Sequence, residues 1–373
     1  MRVALFSSTL DVRNGYGNIT FELTRELCAQ GIDAELFLPT SEQRFAKANP
    51  APCPTHCVLP EYIYRIHQPR AVSYLRPLDL RGFDIVHSVF DFPYCVYAAW
   101  QARRAKRPFL MGVQGTYGVV PLVYWPEKHL MRWCYRQARR VIVPSQFTKD
   151  MIQQYAGEQY PIDIIHNGVR TDRFLRPADT AEIRRRFAGK TLLLTVGGLK
   201  ERKGQDLVIR ALPAIVAKRS DVMYVMVGEG FWQNHLEALA RDLGVAGHVV
   251  FAGPQADDAL VAWFQACDIY VHTPRVANLQ FEGFGIVYLE AGACAKPSIA
   301  TDAGGIRDAV VNGETGLIVP DGDVHAIAEA TVRLCDDPSL RARLGETGRR
   351  YAAQHDWSHI AKRFIATYRE VHS

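Results

Sequence analysis

The feature that most constrains this fold is an alternation of short, apolar, β-rich runs with longer helical patterns, repeated twice along the chain. Such alternation predicts parallel, doubly wound sheets, because a parallel strand returns through a helix. In the first half, strands are predicted in RVALFSS, DAELFLP, FDIVHSV, PFLMGVQG and RRVIVPS, with helices in NITFELTRELCAQG and QFTKDMIQQY. In the second half, strands are predicted in TLLLTVGG, VMYVMVGEG, HVVFAG, CDIYVHT and KPSIATDAGG, with helices over Gln205–Lys218 and through His235–Leu243. The fold class is therefore α/β, with two similar sheets.

A polar segment near 169–180 separates the two cycles, and 373 residues exceed the ~250–300 that one core usually accommodates. We therefore predict an N-terminal domain over 1–172 and a C-terminal domain over 173–355. Residues 356–373 carry apolar side chains at helical spacing and are expected to form a terminal helix.

The net charge is +5: residues 1–175 hold 21 Lys and Arg against 15 Asp and Glu and carry +6, whereas the remainder carries −1. This excess indicates an anionic partner or simply solvated helix faces.

No run approaches the ~18 apolar residues of a spanning helix, so we expect a cytoplasmic protein. Cys53, His56 and Cys57 are metal-capable, but no second pair of ligands has a matching spacing, and no metal site is predicted. We also expect no nucleic-acid partner.

The strongest chemical motif is FEGFGIVYLEAGA, residues 281–293, which lies between two predicted strands. Gly283 and Gly285 flank Phe284 where a loop must turn into a helix, so amides of about residues 284–287 are expected to face outward. The N-terminus of a helix binds phosphate. Glu290 lies one turn into that helix, on the side of Ile286, where its carboxylate can accept hydrogen bonds from ribose hydroxyls. The spacing alone leaves open that Glu282 and Glu290 are ordinary solvated residues.

Two other glycine-containing loops follow strands. In TVGGLKERKG, residues 195–204, Lys203 and Arg202 are placed to neutralise a diphosphate, although a basic pair in a loop is often only solvated. In NGYGN, residues 14–18, the small residues allow a ligand close to the first helix. The chain has no G-x-G-x-x-G, Walker lysine or G-x-S-x-G motif, which disfavours nicotinamide binding, P-loop chemistry and serine hydrolysis.

These segments together resemble the family 4 retaining glycosyltransferases. The resemblance is carried by GGLKERKG, MVGEG and FEGFGIVYLEAGACAKPSIATDAGGIRDAVVNGETGLIVPDGD, with looser matches in HNGVRTDRF, VPSQFTKDMI and GYGN. The spacing of Glu282 and Glu290 is that family's E-x7-E hallmark. The resemblance implies the GT-B architecture, in which two Rossmann-like domains face a central cleft and the terminal helix crosses back to the first domain. It implies that residues 1–172 form the acceptor-side domain and residues 173–355 the nucleotide-sugar-binding domain.

The resemblance also implies roles for individual residues. Lys203 would contact the donor diphosphate and Glu290 the ribose. Glu282 would hold the transferred sugar and phosphate together with donor-binding residues of the same motif, namely Gly283, Phe284, Gly285 and Ile286. Gly17 would approach the phosphates from the first domain.

Two positions depart from the family pattern. Gly198 belongs to the predicted donor loop but stands where many relatives have an arginine, and Arg202 is expected to supply that charge. Gln114 stands where relatives often have a histidine; since glutamine exchanges no protons near neutrality, only hydrogen bonding to the sugar is expected of it.

The predicted function is retaining, metal-independent transfer of a sugar from a nucleotide diphosphate sugar to a glycan or lipid-linked acceptor, with no cofactor. A nucleotide-sugar epimerase on the same fold and a non-catalytic nucleotide-sugar-binding protein remain alternatives. The basic segments 102–108 and 128–140, the latter with Trp133 and Tyr135, predict peripheral association with an anionic membrane at its inner face.

Overall fold

The computed structural model describes residues 1–12, 14–48, 50–63, 65, 67–255 and 257–372. The chain divides into two compact units. The first unit consists of Met1–Gly168 and Trp357–Ser373, and the second of Val169–Asp356.

The first unit alternates strands and helices. Its strands are β1 (Arg2–Phe6), β2 (Asp33–Pro39), β3 (Thr55–Leu59), β4 (Ile85–Ser88), β5 (Phe109–Gly112), β6 (Arg140–Val143) and β7 (Ile162–Ile164). Its helices are α1 (Gly15–Ala29), α2 (Gln43–Ala48), α3 (Tyr94–Ala105), α4 (Thr116–Val119), α5 (Glu127–Gln137) and α6 (Gln146–Ala156), and the terminal helix α15 (Trp357–His372) belongs to the same unit.

All pairings in the first sheet are parallel, in the order β3-β2-β1-β4-β5-β6-β7. Because the chain goes from β1 outward to β2 and β3 and then returns to β4 on the other side of β1, the connections change direction between β1 and β4. In sheets of this kind, ligands bind beyond the carboxyl ends of the strands at such a switch point.

Helix α15 packs on α1 in the first unit. The Nδ1 atom of His87 in β4 and the hydroxyl of Tyr368 share a hydrogen bond of 2.8 Å, and both residues are buried. Trp357 is 1% exposed, and a Cβ on Gly168 would lie 2.6 Å from its ring. The last residues of the chain therefore complete the core of the unit that contains the first residues.

The second unit repeats the alternation. Its strands are β8 (Thr191–Val196), β9 (Val222–Val227), β10 (Val249–Gly253), β11 (Ile269–His272), β12 (Ser298–Thr301) and β13 (Gly316–Val319). Its helices are α7 (Thr171–Leu175), α8 (Ala181–Arg186), α9 (Gln205–Lys218), α10 (Gln233–Asp242), α11 (Asp257–Ala266), α12 (Ile286–Ala293), α13 (Val324–Asp336) and α14 (Pro338–Gln354).

The second sheet is also parallel, in the order β10-β9-β8-β11-β12-β13, so its switch point lies between β8 and β11. Two buried apolar clusters stabilise this unit. One includes Val208, Leu212 and Tyr224, and the other includes Phe264 and Tyr270. Burial of a large apolar side chain contributes roughly 1.5–3 kcal/mol, so these clusters fix the strands that carry the loops at the switch point.

The expectation of two parallel sheets is confirmed, and the helix over Gln205–Lys218 has the predicted bounds. The sequence did not predict β3, β7 or β13, which contain only three to five residues each. Of the metal-capable residues Cys53, His56 and Cys57, the last two lie in β3, where the His56 ring bonds the Glu35 carboxylate at 2.7 Å.

We predict that Trp357→Ala lowers the free energy of unfolding of the first unit by about 3–5 kcal/mol, because a buried indole leaves a cavity. Trp125→Ala is the matched control, since Trp125 is 72% exposed and its removal should change stability by less than about 0.5 kcal/mol. Scanning calorimetry measures both. Equal shifts in Tm for the two variants would show that α15 contributes little to the unit.

Candidate active site

The two strongest sequence motifs meet at the switch point of the second sheet. The segment with Lys203 follows β8, and the segment with Glu282 follows β11, the neighbouring strand. Because parallel strands end at the same edge, both segments emerge on the same side of the sheet.

The backbone of the loop after β8 is fixed against the loop after β11. Gly204 has a φ of 71°, and a Cβ on it would lie 1.7 Å from the carbonyl oxygen of Thr273, so only glycine fits there. The Thr273 hydroxyl donates to the Gly204 carbonyl at 2.7 Å. The amide of Arg275 donates to the Arg202 carbonyl at 2.9 Å. The two cationic side chains therefore start from a rigid backbone.

Glu282 binds both cations. The Lys203 ammonium donates to its Oε2 atom at 2.6 Å, and Nη1 of Arg202 donates to the same atom at 3.1 Å. Burial raises the pKa of Glu282, but the neighbouring Lys203 and Arg202 charges outweigh it and lower the pKa to about 2. One carboxylate thus faces two cations, and the cluster keeps an excess positive charge that an anionic ligand can neutralise.

The loop from Glu282 leads into the N-terminus of α12. The Glu282 carbonyl accepts the amide of Gly305 at 2.8 Å, which anchors the loop. Gly285 has a φ of 94° and precedes the helix, and no side chain caps this end. Since the first amides of a helix have no intrahelical acceptor, this end is suited to a phosphate. Phe284, predicted as donor-binding, is 2% exposed and packs in the apolar core.

Glu290 lies on α12 and is only 8% exposed. Burial raises the pKa of its carboxyl to about 7, and the charge of Arg173 opposes this only in part. A carboxyl with this pKa populates both its neutral and its ionised form at neutral pH. Hydroxyl donors from a ligand would favour the ionised form.

The predicted residues Gln114 and Gly17 belong to the first unit. Gln114 follows β5. Its side-chain Oε1 atom accepts a hydrogen bond from Nδ2 of Asn167 at 3.0 Å. Its backbone amide donates to Asp91 Oδ1 at 3.0 Å. A Cβ on Gly17 would lie 2.2 Å from the Asp11 carbonyl oxygen, so the local packing itself requires glycine.

At Gly198 a Cβ would meet nothing closer than 3.5 Å, the side chain of Lys200. Local packing therefore does not require glycine there. Arg202, which contacts Glu282, supplies a second cation next to Lys203.

Sequence reasoning missed His272, at the end of β11. Its ring is fully buried beside Tyr288, and burial together with the Lys203 charge lowers its pKa to about 3. It also missed that Arg275 bonds both oxygens of Asp206, at 2.6 and 2.8 Å, at the start of α9. The only sign of His272 in the sequence was a polar residue at the end of an apolar strand, and such residues are common in parallel sheets.

Within the described ranges, no helix has both the length and the hydrophobicity to cross a bilayer. The same residues contain no cluster of three or more His, Cys, Asp or Glu side chains arranged to hold a metal ion.

Two family models match the chain and together cover most of it. Residues 13–173 match the model described as Glycosyltransferase Family 4, and residues 179–351 match the one described as Glycosyl transferases group 1.

Characterised relatives are similar over part of the chain. A GDP-mannose-dependent alpha-(1-6)-phosphatidylinositol monomannoside mannosyltransferase of Mycolicibacterium smegmatis is 37% identical over 213 residues, 56% of each chain. A D-inositol 3-phosphate glycosyltransferase of Acidothermus cellulolyticus is 34% identical over 60% of this chain and 51% of its own. The matched region thus spans only a little over half the length of these relatives.

Solved structures are similar over nearly the whole chain. Anabaena HepE, solved in complex with UDP, superposes with a TM-score of 0.83 at 20% identity, covering 99% of this chain and 100% of that one. A sucrose-phosphate synthase from Thermosynechococcus elongatus has a TM-score of 0.77 at 21% identity, covering 100% and 99%. At this identity the likeness establishes the fold.

We predict that Glu290→Gln stabilises the second unit more at pH 8 than at pH 5. The carboxyl is neutral in the folded protein below a pKa of about 7, whereas in the unfolded chain it ionises above 4.5. The folded state therefore binds more protons between these values, and stability falls as pH rises through them. Removing the carboxyl should yield an added gain of about 2–3 kcal/mol between pH 5 and pH 8.

Thermal unfolding at the two pH values measures this difference. Glu314→Gln, at an exposed glutamate of the same unit, is the control and should show no such dependence. The same Tm change at both pH values for Glu290→Gln would mean that its carboxyl is not perturbed.

Proposed function

Because this chain belongs to the family 4 glycosyltransferases and has their GT-B fold, we propose that it transfers a sugar from a nucleotide diphosphate sugar to an acceptor hydroxyl. The observation that carries this proposal is the convergence of Lys203 and Arg202 on Glu282, next to the N-terminus of α12. This arrangement offers concentrated positive charge where a diphosphate can leave.

In the proposed reaction, the bond between the anomeric carbon and the diphosphate oxygen breaks, and its electron pair leaves with the diphosphate. Lys203, Arg202 and the amides of residues 283–287 stabilise the charge that develops there, without a metal ion. The acceptor oxygen bonds to the same face of the sugar, with retention, and its proton goes to the departing diphosphate. Gln114 hydrogen-bonds the sugar but takes no proton.

On the donor side, Glu290 is proposed to accept hydrogen bonds from the two ribose hydroxyls in its ionised form. Burial deprives the ionised carboxylate of water and so raises its pKa. This supports a role in which the ribose hydroxyls donate the hydrogen bonds that water would otherwise supply. Glu282, with its cations, holds the sugar and phosphate. No cofactor is needed besides the donor.

The names of the relatives indicate the first substrates to try, GDP-mannose as donor and phosphatidylinositol monomannoside or D-inositol 3-phosphate as acceptor. The assay combines the protein with a panel of nucleotide sugars and acceptors and identifies products by mass spectrometry and NMR of the anomeric proton. Rapid turnover without an acceptor would instead indicate an epimerase. Binding without any turnover would indicate a nucleotide-sugar-binding protein.

We predict that Lys203→Ala and Glu290→Ala impair different kinetic constants. Lys203 attracts charge that grows in the transition state, so its loss should lower kcat by ~10²–10³ at saturating donor. Glu290 binds ribose hydroxyls that do not change charge, so its loss should mainly raise the donor KM. Lys200→Ala, at an exposed lysine of the same loop, is the control and should change kcat by less than ~2-fold.

A normal kcat for Lys203→Ala would leave two explanations. Either Arg202, which shares Glu282 Oε2, stabilises the leaving group by itself, or the loop does not contact the diphosphate. The double variant with Arg202→Ala separates them, because only the first explanation predicts loss of activity.

We further propose that the first unit binds an anionic bilayer through the start of α5, not through the whole of 128–140. Tyr135 is fully buried, Arg136 pairs with Glu158 at 2.8 Å, and Arg140 pairs with Asp163 at 3.4 Å. Three exposed apolar residues lie just before the helix, Val123, Tyr124 and Trp125, and Trp125 is 72% exposed. Exposed aromatic side chains beside cations favour a membrane interface.

We predict that the protein floats with vesicles of phosphatidylglycerol and phosphatidylcholine at low salt and less so at high salt, since salt screens the attraction. The double variant Tyr124→Ala/Trp125→Ala should lower recovery by about ten-fold. Arg103→Ala/Arg104→Ala, at exposed cations that end α3, tests the other basic segment and should have a smaller effect. Equal recovery with neutral and anionic vesicles would contradict the proposal.

A further inference from the structure

All eight cysteines are free thiols in this structure, and two of them, Cys28 and Cys53, meet although they lie 25 positions apart in the chain. Cys28 is in the last turn of α1, and Cys53 precedes β3 by two residues. Both residues are half-buried, which leaves part of each accessible to solvent. We call these two residues the α1–β3 thiol pair.

The backbone places both cysteines beside the first residues of β2. The carbonyl of the residue before Cys28 accepts the amide of Ile32 at 3.0 Å, which folds the end of α1 onto the start of this strand. The carbonyl of the residue after Cys53 accepts the amide of Leu36 at 2.9 Å, and β3 pairs with β2 only from there onward. The two cysteines therefore lie at the same end of the pairing between β2 and β3.

The side chains also share one face of the first sheet. Leu36 in β2 is opposite Thr55 in β3, and residues two positions apart point to the same face, so Cys53 points to the face of Thr55. The other face, with Glu35 and His56, lies against residues 79–83. Since α1 packs on β2, it covers the face to which Cys53 points.

The two thiols interact directly. The Cys53 thiol donates a hydrogen bond to the Cys28 sulfur, and this bond lowers the pKa of Cys28 to about 7, with help from the Ala34 amide and against the effect of burial. The same bond and burial raise the pKa of Cys53. Near neutral pH a substantial fraction of Cys28 is therefore thiolate, the reactive form, while Cys53 keeps its proton.

A second pair of cysteines in the same unit provides a contrast. Cys95 and Cys134 also share a hydrogen bond, but both are 0% exposed, and burial raises the pKa of Cys95. The Cys134 thiol donates to the Cys95 carbonyl at 3.3 Å. This pair has the proximity without the access or the thiolate, so we expect it to stay reduced in the folded protein.

We propose that the α1–β3 thiol pair is a reversible redox site, at which a peroxide converts Cys28 and Cys53 into an intramolecular disulfide. The Cys28 thiolate attacks one oxygen of hydrogen peroxide, and the O–O bond breaks. A sulfenic acid forms at Cys28, and the departing hydroxide takes up the proton that Cys28 gave up. The Cys53 sulfur then bonds to the Cys28 sulfur, the S–O bond breaks, and a second water leaves with the Cys53 proton.

The two sulfurs together lose two electrons, which reduce the peroxide to two water molecules. A dithiol reductant reverses the change by thiol–disulfide exchange and becomes a disulfide itself. In compartments that keep thiols reduced, such a bond persists only while oxidant is present. It would tie the end of α1 to the segment that enters β3, and its chemistry needs neither a sugar donor nor an acceptor.

The direct test is oxidation of the folded full chain with hydrogen peroxide, followed by alkylation of the remaining thiols and peptide mapping by mass spectrometry. We expect one linked peptide that joins Cys28 to Cys53, and a fall in free thiols from eight to six per chain. Dithiothreitol should restore all eight. Cys95 and Cys134 should become accessible to the alkylating reagent only after unfolding.

Three single variants test the order of the steps. Cys53→Ser should trap the sulfenic acid at Cys28, which dimedone should label at least ~10-fold more than any other cysteine. Cys28→Ser should form no disulfide and show little labelling of Cys53. Cys57→Ser, at a half-buried thiol of β3 outside the pair, is the control and should oxidise like the wild type.

Eight free thiols after treatment with peroxide would overturn the site, as would a link that forms only between two chains or only in unfolded protein. The same loss of thiols in Cys28→Ser as in the wild type would also overturn it, because oxidation would then occur elsewhere. Peptide mapping of the wild type decides the matter even if a substitution prevents folding.

Discussion

The ion cluster of Glu282 with Lys203 and Arg202 is the interaction on which the organisation of the second unit's site depends. It joins two loops that follow neighbouring strands, and the residues it connects are 79 and 80 positions apart in the chain. The Lys203 side chain is only 16% exposed, and a poorly solvated charge is costly unless it is paired, so the carboxylate stabilises the ammonium in this loop. The glycine at 204 and the bonds from Thr273 and Arg275 keep the two loops at the separation that the pairing requires.

The fold and the two main motifs could be predicted because both depend on local patterns. Apolar alternation indicates strands and helices, and glycine followed by charged residues marks the loops at strand ends. The pairing of Glu282 with Lys203 could not be predicted, since it depends on β8 and β11 being neighbours. The burial of Tyr135 was also hidden, because helical spacing does not say which face of α5 packs against the rest of the unit. Strands as short as β7 carry too few residues for a pattern.

The two sheets provide the same topological opening and line it with different chemistry. In the second unit the opening carries cations, a carboxylate and the end of a helix, which suit a charged ligand. In the first unit it carries aromatic rings and one buried carboxyl, and none of the described residues that line it is a lysine or arginine. The same strand order therefore supports different electrostatic environments, and the side chains of a few loop residues decide which one forms.

The assignment of α15 to the first unit has a consequence for how the protein is made. A ribosome releases residues 1–168 long before residues 357–372, and at ~5–20 residues per second the delay is roughly 10–40 seconds. During that time the Trp357 indole and the Tyr368 hydroxyl that bonds His87 are missing from the nascent first unit. The second unit, continuous in the chain, has all its residues sooner. Biosynthesis thus favours an order in which the inserted unit matures before the one that begins the polypeptide.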